Sequence, residues 1–173
     1  DAVADQTVSV DTTDDDVAGF TIVELDGSTE VDESGTTDTF TVVLDAQPSD
    51  NVVIAMSSSD TGEATISGTI SFTPANWDTP QTVTVTGVDE NTIDGDQTST
   101  VTITIVDSIS DSDFSNVADQ TVSVTTTDDD VVGFTIEETD ASTEVDESGT
   151  TDTFTVVLDA QPTSDVVLTV TSD

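Results

Sequence analysis

Along most of the chain, apolar and polar residues alternate in short runs such as TVTVT (residues 82–86) and TVTITI (residues 100–105). A period of two places successive side chains on opposite faces, so each run predicts a β-strand with one inward face. Runs near residues 18–25, 38–46, 51–58, 66–73, 81–88, 98–107 and 118–127, divided by turn residues, predict seven strands. Their inward positions are Phe20 and Ile22, then Phe40, Val42 and Leu44, then Val52, Ile54 and Met56. Ile70, Phe72, Val83, Val85, Val101, Ile103, Ile105, Val122 and Val124 continue the series. Outward positions are mostly Thr, whose branched Cβ suits a strand while its hydroxyl faces water. No segment shows a helical period with caps, so the expected fold class is all-β, an antiparallel sandwich. Trp77, in FTPANWDTP (residues 72–80), could stack a ligand, but an end-plug closing the sandwich is expected, because large aromatics serve mainly to bury area.

The pattern repeats. Residues 3–48 match residues 117–162 at a constant offset of 114; of these 46 positions five differ (11, 18, 23, 25 and 27), leaving 41 identical. A period of that length fits a whole domain rather than a solenoid unit. Cutting at the Asp triplets divides the chain into the end of one unit (1–16), a complete unit (17–130) and the start of a third (131–173). The third unit departs from the second where Asp173 stands against Ser59.

Composition sharpens the picture. The chain has 38 acidic residues and no Lys, Arg, His or Cys, for a formal charge of −38. No internal salt bridge can form, no disulfide framework exists, and nucleic acid and anionic membrane surfaces are excluded as partners by repulsion. The longest apolar run, residues 52–56, is far too short to insert into a membrane. Cations are the expected partners. At about 6 Å two unit charges repel by roughly 3 kcal/mol at an effective dielectric of about 20, so the triplets oppose docking of successive units unless neutralised. Carboxylate and carbonyl oxygens without His or Cys select Ca2+ over softer metals. The EF-hand loop is absent, and DGD at 94–96 is only a fragment of such spacing. The scattered acids Asp38, Asp45, Asp50, Asp78, Asp107, Asp111 and Asp113 are expected to be solvated, keeping the chain soluble and blunting sheet edges.

Four stretches in order, VDESGTTDTFTVVLDAQ (31–47), SSDTGEATI (58–66), ISFTPANWDTPQTVTVTGVDENTIDGD (70–96) and TVSVTTTDDD (121–130), resemble a Calx-β domain. The resemblance covers the middle unit and both partial ones. It implies tandem seven-stranded immunoglobulin-like sandwiches of a large bacterial or archaeal surface protein, with calcium held at one end. Placed residue by residue, it implies ligands at Glu33, at Asp60, at Asp89, Glu90, Asp94 and Asp96, and at Asp128, Asp129 and Asp130. The flanking units would repeat the arrangement through Asp14, Asp15 and Asp16 and through Glu147. Glu90 stands where a second Asp is usual and Gln97 where an acid is usual, which leaves the number of ions open.

Three functions compete. The first is a structural repeat of a long extracellular stalk or filament, an adhesin or fibre, stiffened by calcium at the junctions. Its partners are neighbouring repeats of the same chain, with lateral or end-to-end self-association into fibres as a further use. Each unit would add about 30–40 Å, from strands near ten residues at roughly 3.3 Å each. The second is a module recognising a glycan or protein through its end loops, which calls for exposed aromatics; the chain has one Trp, no Tyr and six Phe, mostly in strands. The third is an enzyme. Without His, Cys, Lys or Arg only a paired-carboxylate glycosidase is familiar, and the aromatic cleft it needs is missing from the sequence, so no catalytic role is expected.

Overall fold

The structure, a computed structural model, describes residues 3–172. The expected departure at Asp173 lies outside the described residues. Nine strands build the middle of the chain: β1 (Phe20–Glu24), β2 (Thr29–Asp32), β3 (Thr37–Leu44), β4 (Val52–Ser58), β5 (Ala64–Ile66), β6 (Thr69–Phe72), β7 (Gln81–Gly87), β8 (Gln97–Ile105) and β9 (Gln120–Thr127). They form two sheets, β1-β3-β7-β5 and β2-β9-β8-β4-β6, whose inner faces share one apolar core. The fold is an all-β immunoglobulin-like sandwich: the alternation predicts the all-β sandwich and the resemblance its immunoglobulin-like form. Of the expected inward residues all are buried except Ile22 and Ile70, which are half-buried against the same core. Trp77 packs on that core too, and its carbonyl accepts from Leu44 N at 3.2 Å, so it closes the end where β3 finishes.

Two features refine the seven-strand expectation. The run at 66–73 is two strands in opposite sheets: Ile66 pairs with Val85 across β5 and β7, whereas Ile70 pairs with Ile54 across β6 and β4. Ser67 and Gly68 make the crossing between them. A short strand, β2, also appears where the sequence reads TEVD, and it pairs parallel to β9, Thr29 with Val124 through Asp32 with Thr127. Its two acids point outward and hide the period, while Thr29 and Val31 are buried.

Asp111 corrects another expectation. It is buried rather than solvated, at 5% exposure. Its carboxylate accepts from Asp113 N at 3.0 Å, capping a 3-10 turn (Ser112–Phe114), and from Ser49 N, Ser49 Oγ and Asp50 N at 2.6, 2.8 and 2.9 Å. These donors, the Asp113 amide foremost, hold its carboxyl down at about 2. The turn it fastens carries Phe114 into the core.

Beyond β9 the chain makes a hairpin of β10 (Phe134–Glu138) and β11 (Phe154–Leu158). Its register, Phe134 with Leu158 through Glu138 with Phe154, is that of β1 and β3 moved by the 114-residue offset (134 − 20, 158 − 44). Phe134 is 51% exposed where Phe20 is 3%, because the sequence contains counterparts of β7 to β9 for the middle unit and not for this hairpin. Residues 3–16 are exposed and form no strand.

Gly87 ends β7 where a Cβ would lie 2.0 Å from Asp32 O. Gly87→Ala is expected to push β2 away from β7 and cost roughly 1–3 kcal/mol, read as a lowered Tm. Asp111→Ala should cost roughly 2–3 kcal/mol, because it strips a buried charged acceptor from three backbone amides and a hydroxyl. Since the Asp111 pKa is depressed, its contribution is present above the ordinary 3.8 and fades as pH falls toward about 2, so the wild-type and Asp111→Ala melting curves should converge in acid.

Candidate metal centre

The end of the sandwich opposite Trp77 gathers the carboxylates. The parallel β2–β9 ladder sets Glu33: Asp32 lies beside Thr127, and Glu33 N donates to Thr127 O at 3.2 Å, so Glu33 follows β2 at the level where Asp128 follows β9. The turn after it is held by Asp32, whose carboxylate accepts from Ser34 N at 2.9 Å and whose amide donates to Thr36 Oγ1 at 2.8 Å. The loop between β7 and β8 is tied to the triplet, Gly95 N donating to Asp128 Oδ2 at 2.8 Å and Asp128 N to Asp96 Oδ1 at 3.3 Å. Asp130 N closes on Asp128 Oδ1 at 2.8 Å. Glu63, just ahead of β5, is fixed by its carbonyl, which accepts from Val88 N at 2.9 Å.

Two triads result, Glu33 with Glu90 and Asp94, and Glu33 with Asp128 and Asp130; within each, one carboxylate oxygen per residue lies within 4.8 Å of the others. That separation is about twice a calcium–oxygen bond, the widest that ligands of one calcium ion can span. Glu33 is common to both triads and is 0% exposed. Both of its oxygens are buried without a hydrogen-bond partner, as are Glu63 Oε2, Glu90 Oε1 and Asp130 Oδ2. Burial, then the charges of Asp128, Glu63, Glu90 and Asp94, push the Glu33 carboxyl up to about 7. Glu63 is raised by burial and then by Asp94, Asp60, Glu90 and Asp128. Asp130 is raised by burial and then by Asp128, Asp129 and Asp89.

The structure thus brings together Glu33, Glu90, Asp94, Asp128 and Asp130 from three separated stretches of the expected set. It leaves Asp60, Asp89, Asp96 and Asp129 outside both triads. Asp60 is exposed and its carboxylate accepts from Gly62 N at 2.9 Å, capping its own turn. Asp89 and Asp129 are exposed and reach Asp130 only through space, and Asp96 braces the backbone of Asp128. Asp14, Asp15 and Asp16 lie on the exposed segment before β1, and Glu147 lies on an exposed turn; neither meets two further acids among the described residues, because the loops that face Glu33 in the middle unit have no counterparts beside them in this sequence. Glu63 is the residue that the sequence reading missed. It lies inside SSDTGEATI (58–66), three residues after the expected ligand Asp60.

Unpartnered buried carboxylate oxygens without any basic residue suit one kind of guest. A hard cation with six to eight oxygen ligands would accept their lone pairs and cancel their repulsion, whereas imidazole or thiolate donors for softer metals are absent from the chain.

No family model matches the chain, and a search of curated proteins finds no match. Several solved structures share its outline. The apo form of the Calx CBD1 domain aligns over 64% of this chain and 98% of its own length, at 17% identity and a TM-score of 0.46. CBD12 from CALX1.2 aligns over 80% of this chain and 69% of its own, at 13% identity and 0.46. Domains 1–6 of the surface layer protein SbsC align over 90% of this chain and 23% of their own length, at 17% identity and 0.46. A likeness at this level is one of general outline, and it is the carboxylate geometry of the chain itself that bears on function.

Proposed function

We propose that this chain is a non-enzymatic structural segment of a long extracellular stalk or filament, in which calcium held at the end of each sandwich stiffens the junction to the next. One observation carries the reading: Glu33 is fully buried with both oxygens unpartnered, between two carboxylate triads, in a chain that has no basic side chain to answer it. Glu33 with Glu90 and Asp94, and Glu33 with Asp128 and Asp130, would supply the carboxylate oxygens that hold calcium. The triplet belongs at once to the end of β9 and to the link into β10, so an ion gripping Asp128 and Asp130 would grip the junction as well. Extracellular modules bind calcium at roughly 10⁻⁴ to 10⁻³ M, a range suited to permanent loading outside a cell. The 114-residue repeat supports a role that depends on length. No helix among the described residues is long and apolar enough to cross a membrane.

Calcium and Glu33→Gln should act on the melting temperature with opposite signs. In chelator, Glu33→Gln removes a buried unpaired charge and raises Tm. In calcium at about 100 times its dissociation constant, wild type gains about 2.7 kcal/mol from one site and the variant gains little, so the order of the two proteins reverses. Equal melting temperatures with and without calcium, together with no heat of binding, would remove the calcium reading.

The pH dependence of the metal-free chain follows from the raised carboxyls. A folded-state value of about 7 against an ordinary 4.5 means that the folded protein holds its Glu33 proton where the unfolded chain has lost it. Stability therefore falls as pH rises from 4.5 to about 7. Asp111 acts in the other direction below 3.8, so the metal-free optimum is expected between 3.8 and 4.5. Saturating calcium should lift the neutral limb and flatten the profile, as read from denaturation midpoints across pH.

A further inference from the structure

Two of the nine glycines follow an aspartate, in Asp26-Gly27 and Asp94-Gly95. An aspartate carboxyl carbon can close on the next backbone nitrogen, and glycine, with no Cβ in the way, leaves that approach most open. Both pairs are exposed, and both glycines are left-handed, at φ +84 and +76, with open space where a Cβ would stand. Their amides differ. Gly27 N donates to Glu24 O at 3.4 Å, a long turn bond, whereas Gly95 N donates to Asp128 Oδ2 at 2.8 Å, a short bond to a charged acceptor. Their carboxylates differ as well: Asp94 shares a triad with Glu33 and Glu90, and Asp26 belongs to neither triad. The chain also carries its own control. Asp140-Ala141 occupies the same turn in the next copy, with Ala141 at φ 67 and its amide on Glu138 O at 3.5 Å, so a methyl group is what separates it from Asp26-Gly27.

We infer that Asp94-Gly95 is a modification site, at which the aspartate isomerises spontaneously once Asp128 and a bound cation release it, and that Asp26-Gly27 undergoes the same reaction unguarded. Gly95 N attacks Asp94 Cγ, forming an N–Cγ bond while a carboxyl C–O bond breaks. The oxygen leaves as water, taking the amide proton and the carboxyl proton, and a five-membered succinimide remains. Water then adds back at either ring carbonyl. Addition at Cγ restores aspartate, whereas addition at the backbone carbonyl leaves the chain running through Cβ and Cγ as isoaspartate. No oxidant, reductant or cofactor is consumed, and the mass of the chain is unchanged. The attack needs Gly95 N turned toward Cγ, which breaks its bond to Asp128, and Cγ free to meet it, which a cation on the Asp94 carboxylate prevents. The guard by cation rests on the function proposed above, whereas the guard by Asp128 stands on the geometry alone. Isoaspartate adds a methylene to the backbone and takes one from the side chain, so the carboxylate no longer meets Glu33 and Glu90 as before. A unit left without its cation thus loses the site by a covalent change that returning calcium does not reverse.

The test ages the full chain at neutral pH in calcium and in chelator, and locates isoaspartate by methyltransferase labelling and mapping of chymotryptic peptides. The chain unfolded in urea sets the unguarded rates, and there residues 26 and 94 should isomerise alike. In the folded chain residue 26 should keep most of its rate with or without calcium, and residue 140 should fall severalfold below it. Residue 94 should be slowest in calcium and rise severalfold in chelator. Aged chelator samples returned to calcium should show calorimetric uptake reduced in proportion to the isoaspartate at 94. In chelator, Asp128→Ala should raise residue 94 toward the rate of residue 26, while Asp128→Asn, which keeps an acceptor for Gly95 N, should not; residue 26 should be indifferent to both. Residue 94 isomerising as fast as residue 26 in the folded wild type, in calcium and in chelator alike, overturns the inference. Heat of calcium binding together with a residue 94 rate indifferent to chelator overturns the guard by cation and leaves the calcium reading standing. Absent heat of binding overturns the calcium reading itself, and the two Asp128 variants then still decide the guard by Asp128.

Discussion

The structure turns on a charge that the chain cannot answer from its own composition. Glu33 is buried against Asp128, Glu63, Glu90 and Asp94, and no Lys, Arg or His exists to pair with any of them. Two unit charges about 4.8 Å apart repel by roughly 3–4 kcal/mol at an effective dielectric of about 20. A few such pairs rival the roughly 5–15 kcal/mol by which a domain is stable at all. The sandwich therefore has two ways to exist at neutral pH: with protons on some of these groups, or with cations among them. The raised values for Glu33, Glu63 and Asp130 are the proton answer, and the geometry of the triads is compatible with the cation answer.

The fold makes this concentration possible by dividing labour between its ends. At one end Trp77, Phe114 and the Asp111 cap close the core with apolar area and satisfied hydrogen bonds. At the other, Glu33 has its amide bonded to Thr127 O while both of its carboxylate oxygens, and one oxygen each of Glu63, Glu90 and Asp130, are buried without a donor. Asp111 and Glu33 show the contrast: both are buried aspartate or glutamate, but four donors hold one carboxyl low, while the other has none and is driven up. Burial alone decides neither; the supply of donors does.

Period-two alternation made the core legible, because every long strand has one face against the other sheet and Thr on the outside. It failed where that arrangement fails. β2 is four residues long with acids on its open face, so its two buried positions are too few to register as a period. Yet β2 is the element that delivers Glu33, through a parallel pairing that no local pattern announces. The 66–73 run reads as one strand because both halves alternate in phase, although each half serves a different sheet. Asp111 was invisible because three of its four donors come from residues about sixty positions away. The resemblance placed Glu33, Glu90, Asp94, Asp128 and Asp130 as candidates together with Asp60 and Asp129; the three-dimensional convergence of the first five into two triads separates them from the other two.

The two near-copies within the chain show which of these demands is strict. Their five differences fall at positions 11, 18, 23, 25 and 27, and none is a core strand position or a triad carboxylate. Val23 and Leu25, 48% and 64% exposed on or just past the edge strand β1, become Glu137 and Thr139 in the next copy. Gly27, in the left-handed region at φ +84, becomes Ala141 at φ 67, so the turn is retained even where a side chain makes it costly by roughly 1–2 kcal/mol. Apolar and acidic residues interchange on the outer edge without altering the β1–β3 register, which recurs pair for pair in β10–β11. The tolerance of the edge sets it apart from the junction: a carboxylate added at position 137 meets water, whereas those at 33, 128 and 130 meet one another, and only there does the absence of any basic residue become a structural constraint.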